Sequence, residues 1–567
     1  MEWNFRSAEE LSAALRAGEV TSVELTDEAI ARIERDDEVI NAICVPDFDR
    51  ARATARRADR ARARGADRPL LGIPVTVKES YDMAGLPTTW GMPQYADHVP
   101  TEDAVQVSRL KAAGAVILGK TNVPLMLRDI QSFNEIYGTT NNPWDHTRTS
   151  GGSSGGSATA LASGFGALSI GSDLAGSLRT PAHFCGVYAH KPTLGLAPTR
   201  GMVAPPAPGL PIDLDLAVVG PMARTARDLT LLLDVMAGPD PLTHGVAHHL
   251  ALPPARHERL SDFRVLIIED HPLIPTGSAV RAGVNRVAEA LVDEGARVER
   301  RSPLLPDQTE AATLYMLLML SNAAAGVPVD GYEQLRTRAA ALGADDRSLQ
   351  AARLRAMVLS HRDWVEANNR RELHRHRWRQ LFTEFDAVVS PITPTPAFPH
   401  DHNGSLESRH IDIDGVEHPY FDQLVLAGLA TMPGLPATAV PAGRSPEGLP
   451  VGVQLIGPIR AREVVRGAVR FGLIYDVRAV VAWRACQCGV PRSRRFRRIL
   501  VDISMSRSTS SGDRASISAS RMWRARWLCA VRKRARPSAV RPITVPRASS
   551  GAGCCCRRPR LVIRAAC

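Results

Sequence analysis

The residues with the most evident chemistry lie between positions 150 and 193. A first turn reads Ser-Gly-Gly-Ser-Ser-Gly-Gly-Ser from Ser150, and a second reads Gly-Ser-Asp-Leu-Ala-Gly-Ser-Leu-Arg from Gly171. Between them runs a largely apolar stretch, 158–170. Clustered glycines let a backbone approach a ligand closely and aim N–H groups at it. Ser177, after Ala-Gly and before Leu-Arg, is placed to be a nucleophile in such a nest. The residue types alone are compatible with a hydrolase or an anion cradle.

The surrounding pattern says how such residues are held. Ser7-Ala-Glu-Glu10 and Thr21-Ser-Val-Glu24 read as capping boxes that open helices. An Arg/Ala-rich helix over 50–64 reads as a solvated surface element. Residues 73–77, Ile-Pro-Val-Thr-Val, predict a buried strand ending at Lys78, at the edge where open α/β sheets place ligands. Gly114 to Thr121 matches a Walker string letter for letter. The order here is helix, glycine, strand, and Pro124 blocks any following helix, so no P-loop is expected. Further strands are predicted at 263–268, 387–391, 436–441 and 451–456, with a helix over 280–291. Strands alternating with helices predict an α/β layer architecture.

The string GGSSGGS, then GSDLAGSLRTPAHFCGVYAHKPT, resembles the amidase signature family of serine hydrolases. The likeness extends from the region of Ala8 to Gly448-Leu-Pro-Val-Gly-Val-Gln-Leu-Ile-Gly-Pro458. It implies a large twisted mixed β-sheet flanked by helices, with a helical cap formed by an insert at about 308–385. It also implies a Ser–cisSer–Lys triad of Ser177 as nucleophile, Ser153 as bridging serine after a cis Gly152–Ser153 peptide, and Lys78 as base. The spacings, 75 residues from Lys78 to Ser153 and 24 from there to Ser177, fit without a gap. Carried over in the same way, the oxyanion donors are the backbone N–H groups of Leu174, Ala175 and Gly176, with Ser177. Ser154, Ser172, Asp173 and Arg179 become supporting hydrogen-bond and ion-pair residues, and the backbone near Leu127 lines the substrate carbonyl. The implied reaction is hydrolysis of a small-molecule carboxylic amide through an acyl-enzyme, with no cofactor and no metal. A homodimer is compatible with it.

Three positions depart from the family pattern. Ala175 stands where glycine is usual; at positive φ it would cost roughly 1 kcal/mol and misalign the donors. Ala189 also replaces a glycine, and Leu125 stands where an acidic residue is common. A weakened enzyme is therefore one alternative. A second is the glutaminase-type subunit of a tRNA-dependent amidotransferase, which shares the motif and works with partner subunits. Gly151-Gly-Ser-Ser-Gly155 also satisfies the nucleophile-elbow pattern, but that needs an apolar strand before it, and 144–150 is polar and turn-like.

The net charge of +11 suggests nucleic acid until it is divided. Residues 461–567 hold 25 of the 70 Lys+Arg and 4 of the 59 Asp+Glu, a net of +21, so the rest carries −10. Seven of the nine cysteines lie in the same segment, leaving Cys44 and Cys185 in the body. An acidic, cysteine-poor body without an apolar leader predicts a cytoplasmic protein with no membrane span. The expected division is an amidase signature domain over 1–472 and an Arg/Ser/Cys-rich tail over 473–567. That tail reads as a disordered basic arm, a nucleic-acid-binding arm on an inactive scaffold, or a stretch translated out of frame. The third is favoured, because family members end in a closing helix soon after the Gln-Leu-Ile-Gly-Pro motif. Resequencing the gene beyond codon 458 is expected to reveal a frame change; an unchanged frame with an expressed product of full-length mass contradicts it.

Overall fold

The computed structural model describes residues 3–206, 214–242, 250, 252, 256–324 and 327–459. The tail assigned above to 473–567, and the end of the domain beyond 459, lie outside the described residues. Eleven strands form one sheet: β1 (Ile43–Pro46), β2 (Pro74–Lys78), β3 (Val116–Thr121), β4 (Leu168–Asp173), β5 (Tyr188–Lys191), β6 (Val218–Ala223), β7 (Arg264–Ile267), β8 (Arg297–Glu299), β9 (Ala387–Pro391), β10 (Ala437–Arg444) and β11 (Pro450–Ile456). Their order is β1-β3-β2-β4-β6-β5-β10-β11-β9-β7-β8. β3-β2-β4 is parallel, β9-β7-β8 is parallel, and the strands between these patches pair antiparallel. The expected mixed α/β sheet is thus present. No helix among the described residues is long and apolar enough to cross a membrane.

Alternation along β2 and β4 explains how the sheet presents chemistry on one face. Val75, Val77, Leu168 and Ile170 are buried in the main apolar cluster. Thr76 and Lys78 fall on the other face by the two-residue period of a strand, and Thr76 Oγ1 donates to Ser169 Oγ at 2.9 Å. On that face packs the helix Gly155–Ser163, built from small residues. Its first turn touches backbone directly: an added Cβ at Gly156 would meet the Asn122 nitrogen at 2.4 Å. Close approach of this helix to the backbone just after β3 therefore requires Gly156.

Both predicted capping boxes form, at Ser7 with Glu10 and at Thr21 with Glu24. β3 takes in Gly119, Lys120 and Thr121. The buried Lys120 Nζ donates to Thr88 Oγ1 at 2.7 Å and to the Pro87 carbonyl, a setting unlike a phosphate loop. One expectation needs correction. Residues Asp145–Thr149 form a strand, paired with Asn141–Asn142 in a separate two-stranded sheet. Its pattern of partly exposed polar residues hid it from apolar alternation. It is not the buried central strand that a nucleophile elbow needs.

Four helices, Gln308–Ala323, Val329–Ala340, Leu349–Ala356 and His361–Glu384, fill the stretch before β9. Tyr315, Met316 and Met319 of the first join an apolar cluster with Val425 and Leu426 of the helix Leu424–Thr431. Leu174 and Ala175 pack against this cluster.

Candidate active site

Lys78 closes β2 with its side chain wholly buried. Its Nζ lies 2.7 Å from Ser153 Oγ and 2.9 Å from Ser172 Oγ. Burial pushes the amine down to about 7 from its usual 10.5, against the opposing pull of Asp173 and Glu79. Desolvation disfavours the charged form of any amine, and here it outweighs two nearby carboxylates. Ser153 follows a cis peptide from Gly152. An added Cβ on Gly152 would sit 2.4 Å from the Asp129 carbonyl oxygen, so glycine alone fits beside that backbone.

The second turn is locked onto the first. The Ser154 N–H donates to the Ser177 carbonyl at 3.1 Å, and Ser154 Oγ donates to the Ser172 carbonyl at 3.3 Å. Asp173, the last residue of β4, organises the turn after it. Its Oδ1 accepts from Gly176 N–H at 2.9 Å and Arg179 Nη2 at 2.8 Å; its Oδ2 accepts from Leu178 N–H at 3.2 Å and Arg179 Nε at 2.9 Å. Burial alone would raise the Asp173 carboxyl, but the Arg179 guanidinium overrides this and holds it at about 2. Arg179 is itself buried and also donates to the Ala427 carbonyl, Thr431 Oγ1 and Gln454 Oε1. One ion pair thus ties the Ser177 turn to the helix Leu424–Thr431 and to β11.

Two readings of this turn change. Ala175 does not adopt positive φ; the residue that does is Gly176, at +95°. The substitution of alanine for glycine at 175 therefore carries no left-handed strain. Gly176 N–H, expected among the oxyanion donors, is instead engaged by Asp173. The N–H groups of Leu174, Ala175 and Ser177 have no hydrogen-bond partner among the described residues.

A family model described as Amidase matches residues 24–463. The chain belongs to the amidase family. The A subunit of glutamyl-tRNA(Gln) amidotransferase from Roseiflexus sp. (strain RS-1) is 36% identical over 469 residues, covering 78% of this chain and 91% of that protein. Its counterpart from Streptomyces avermitilis is 34% identical over 485 residues, covering 80% and 91%. A solved structure described with a vestigial protein complex and the evolutionary origins of an s-triazine catabolic enzyme is 30% identical. It covers 83% of this chain and 99% of its own, with a TM-score of 0.69. A bacterial aryl acylamidase of the amidase signature family, 22% identical, shares the fold, with a TM-score of 0.69 and coverage of 83% and 96%.

Within this amidase, sequence reasoning missed several residues that shape the site. Tyr315 donates to the Leu174 carbonyl at 3.0 Å from 141 positions away. Asp129, whose backbone packs on Gly152, accepts from Arg409 Nη1 at 2.7 Å and from the Tyr420 hydroxyl at 2.8 Å. Glu79 accepts from the backbone of Thr89 at 2.5 Å and of Trp90 at 3.1 Å. The Trp90 carbonyl then accepts from Met126 N–H at 2.8 Å, next to Leu127. Trp90, Met126 and Leu127 all have positive φ, which is rare for bulky residues and clusters at functional sites. No local motif marks these contacts. Only Glu79, beside Lys78, stood close enough to a motif to be found. Among the described residues, no three His, Cys, Asp or Glu come together as a metal site would require.

Removing one partner of a buried ion pair leaves the other charge uncompensated, at about 3–5 kcal/mol. Asp173→Asn is expected to lower unfolding free energy by that amount in chemical denaturation. A loss below about 1 kcal/mol would show that the pair does not anchor this turn.

Proposed function

We propose that this amidase cleaves a carboxamide C–N bond with Ser177 as nucleophile, Ser153 as proton bridge and Lys78 as base. The observation that carries this reading is a buried amine held near neutrality 2.7 Å from Ser153 Oγ. A serine hydroxyl is a weak nucleophile until a base takes its proton. As Ser177 Oγ bonds to the carbonyl carbon, its proton passes to Ser153 and the Ser153 proton to Lys78. The relay then runs back to the departing nitrogen as the C–N bond breaks. Water, activated by the same relay, hydrolyses the acyl-enzyme and frees Ser177. Ser172 Oγ accepts a hydrogen of the amine and so helps turn its lone pair toward Ser153. The negative oxygen of the tetrahedral intermediate is met by the N–H groups of Ala175 and Ser177, with Leu174. Preorganised donors of this kind commonly contribute more to acyl transfer than any other single effect. Leu127, in its left-handed loop, lines the substrate side.

For the amide itself, the curated relatives favour glutamine as the nitrogen donor, in an A-type subunit that works with partners to amidate a tRNA-bound glutamate. A second reading, a stand-alone amidase for a small molecule with an apolar acyl group, is favoured by the apolar cluster packed on Leu174 and Ala175.

Ammonia release from glutamine and from a panel of aliphatic and aryl amides separates the two readings. Under either, Ser177→Ala and Lys78→Ala are expected to lower kcat/KM by about 10³-fold or more. Because the amine must be unprotonated to accept a proton, kcat/KM should rise about tenfold per pH unit below about 7 and level off above it. Activity that survives Ser177→Ala, or a flat profile between about pH 5.5 and 8.5, would overturn the mechanism. Brisk turnover of simple aryl amides by the isolated chain, without glutamine turnover, would decide for the second reading.

A further inference from the structure

Asp173 and its ion pair fix part of the turn around Ser177 but leave the peptide unit that carries the Ala175 N–H untouched. The carboxylate holds the N–H groups of Gly176 and Leu178. It does not hold the unit between Leu174 and Ala175, which carries the Leu174 carbonyl and the Ala175 N–H. That peptide is trans. In a trans peptide the C=O and N–H are coplanar and point in opposite directions, so whatever holds one aims the other. The Leu174 carbonyl accepts from the Tyr315 hydroxyl at 3.0 Å.

Tyr315 is well placed to impose a direction. It is fully buried on the helix Gln308–Ala323. Its ring is backed by Gly428, where an added Cβ would lie 2.6 Å from it. Gly428 sits in the helix Leu424–Thr431, which also supplies the Ala427 carbonyl and Thr431 hydroxyl to Arg179. The two anchors of the turn, Arg179 through Asp173 and Tyr315 through Leu174, are thus referred to the same helix. A buried hydroxyl is costly unless it is hydrogen-bonded, and the Leu174 carbonyl is the acceptor this one uses. Donation to a carbonyl also polarises its amide and strengthens the N–H on the far side.

We infer that Tyr315 is a positioning residue: by holding the Leu174 carbonyl, its hydroxyl sets the direction of the Ala175 N–H that receives the oxyanion. This rests on the assignment of Ser177 as nucleophile. It gives the helix Gln308–Ala323 a part in the reaction, and accounts for the hydroxyl that Tyr315 carries into a largely apolar cluster.

The test uses a fluorophosphonate probe, which needs no knowledge of the natural amide. Ser177 Oγ bonds to phosphorus, the P–F bond breaks, fluoride leaves and the serine proton passes to the relay, while the phosphoryl oxygen takes the oxyanion's place. Inactivation rates are measured for the full chain, Tyr315→Phe and Leu317→Met, with mass spectrometry locating the adduct. All are read at least about 10 °C below the lowest melting midpoint, so that every variant is folded. Tyr315→Phe is expected to lower the limiting inactivation rate about tenfold with the apparent affinity unchanged, as for a group acting only in the transition state. Leu317→Met, a volume-conserving change on the same helix but outside that apolar cluster, should leave both unchanged. Wild-type kinetics for Tyr315→Phe, a loss in affinity alone, or equal slowing by Leu317→Met overturns the inference. In those cases an adduct on Ser177 leaves the nucleophile assignment standing. A wild-type chain that carries no adduct at Ser177 overturns that assignment, and the role of Tyr315 with it.

Discussion

An ammonium group cannot comfortably occupy the place where Lys78 ends its strand. The side chain is wholly buried at the carboxyl edge of two parallel strands, and its neighbours are the hydroxyls of Ser153 and Ser172. The displacement of the amine from 10.5 to about 7 corresponds to about 5 kcal/mol in favour of the neutral form. That preference is what makes a lysine useful as a base near neutral pH. Its requirements account for much of the local architecture. The strand must end there, and a helix of small residues must cover it. The turn bearing Ser153 must come so close to the segment at Asp129 that only glycine fits before it.

A second constraint works alongside the first. Asp173 is kept ionised in the interior because Arg179 sits against it, and the carboxylate uses its remaining capacity on backbone N–H groups of the turn around Ser177. A buried pair of this kind is weak evidence for net stability. Its value here lies in geometry, since it refers Ser177 to a distant helix and strand at once. The same carboxylate opposes the depression of the Lys78 amine. The site therefore balances two demands, a neutral base and a charged anchor, within one buried volume.

The residues proposed to carry the chemistry were legible because each lies in a short string with a distinctive order. Lys78 follows an apolar run, and Ser153 and Ser177 sit in glycine-rich turns. The sheet was legible for a related reason, since its buried strands read as continuous apolar segments. What could not be read was conformation within a motif and contact between distant motifs. Ala175 looked strained because it replaces a glycine, yet the left-handed position falls one residue later, on Gly176. Gly176 looked like a donor, yet its N–H is claimed by a carboxylate three residues before it. Tyr315 and Arg409 act on the site from 141 and 280 positions away, through single hydrogen bonds that leave no periodicity behind. The strand Asp145–Thr149 was hidden because it is polar and exposed, outside the pattern by which strands announce themselves.

Membership of the amidase family, the sheet and the arrangement of Lys78, Ser153 and Ser172 all meet in one claim: the buried Lys78 amine gives up its proton near neutral pH. Selective carbon-13 labelling of lysine, with Lys78→Arg to assign its signal, allows that amine to be titrated directly by NMR. The account predicts a midpoint near 7 for Lys78. A midpoint near the ordinary 10.5 would mean that the amine is charged at neutral pH, and that it cannot be the base this site is built around.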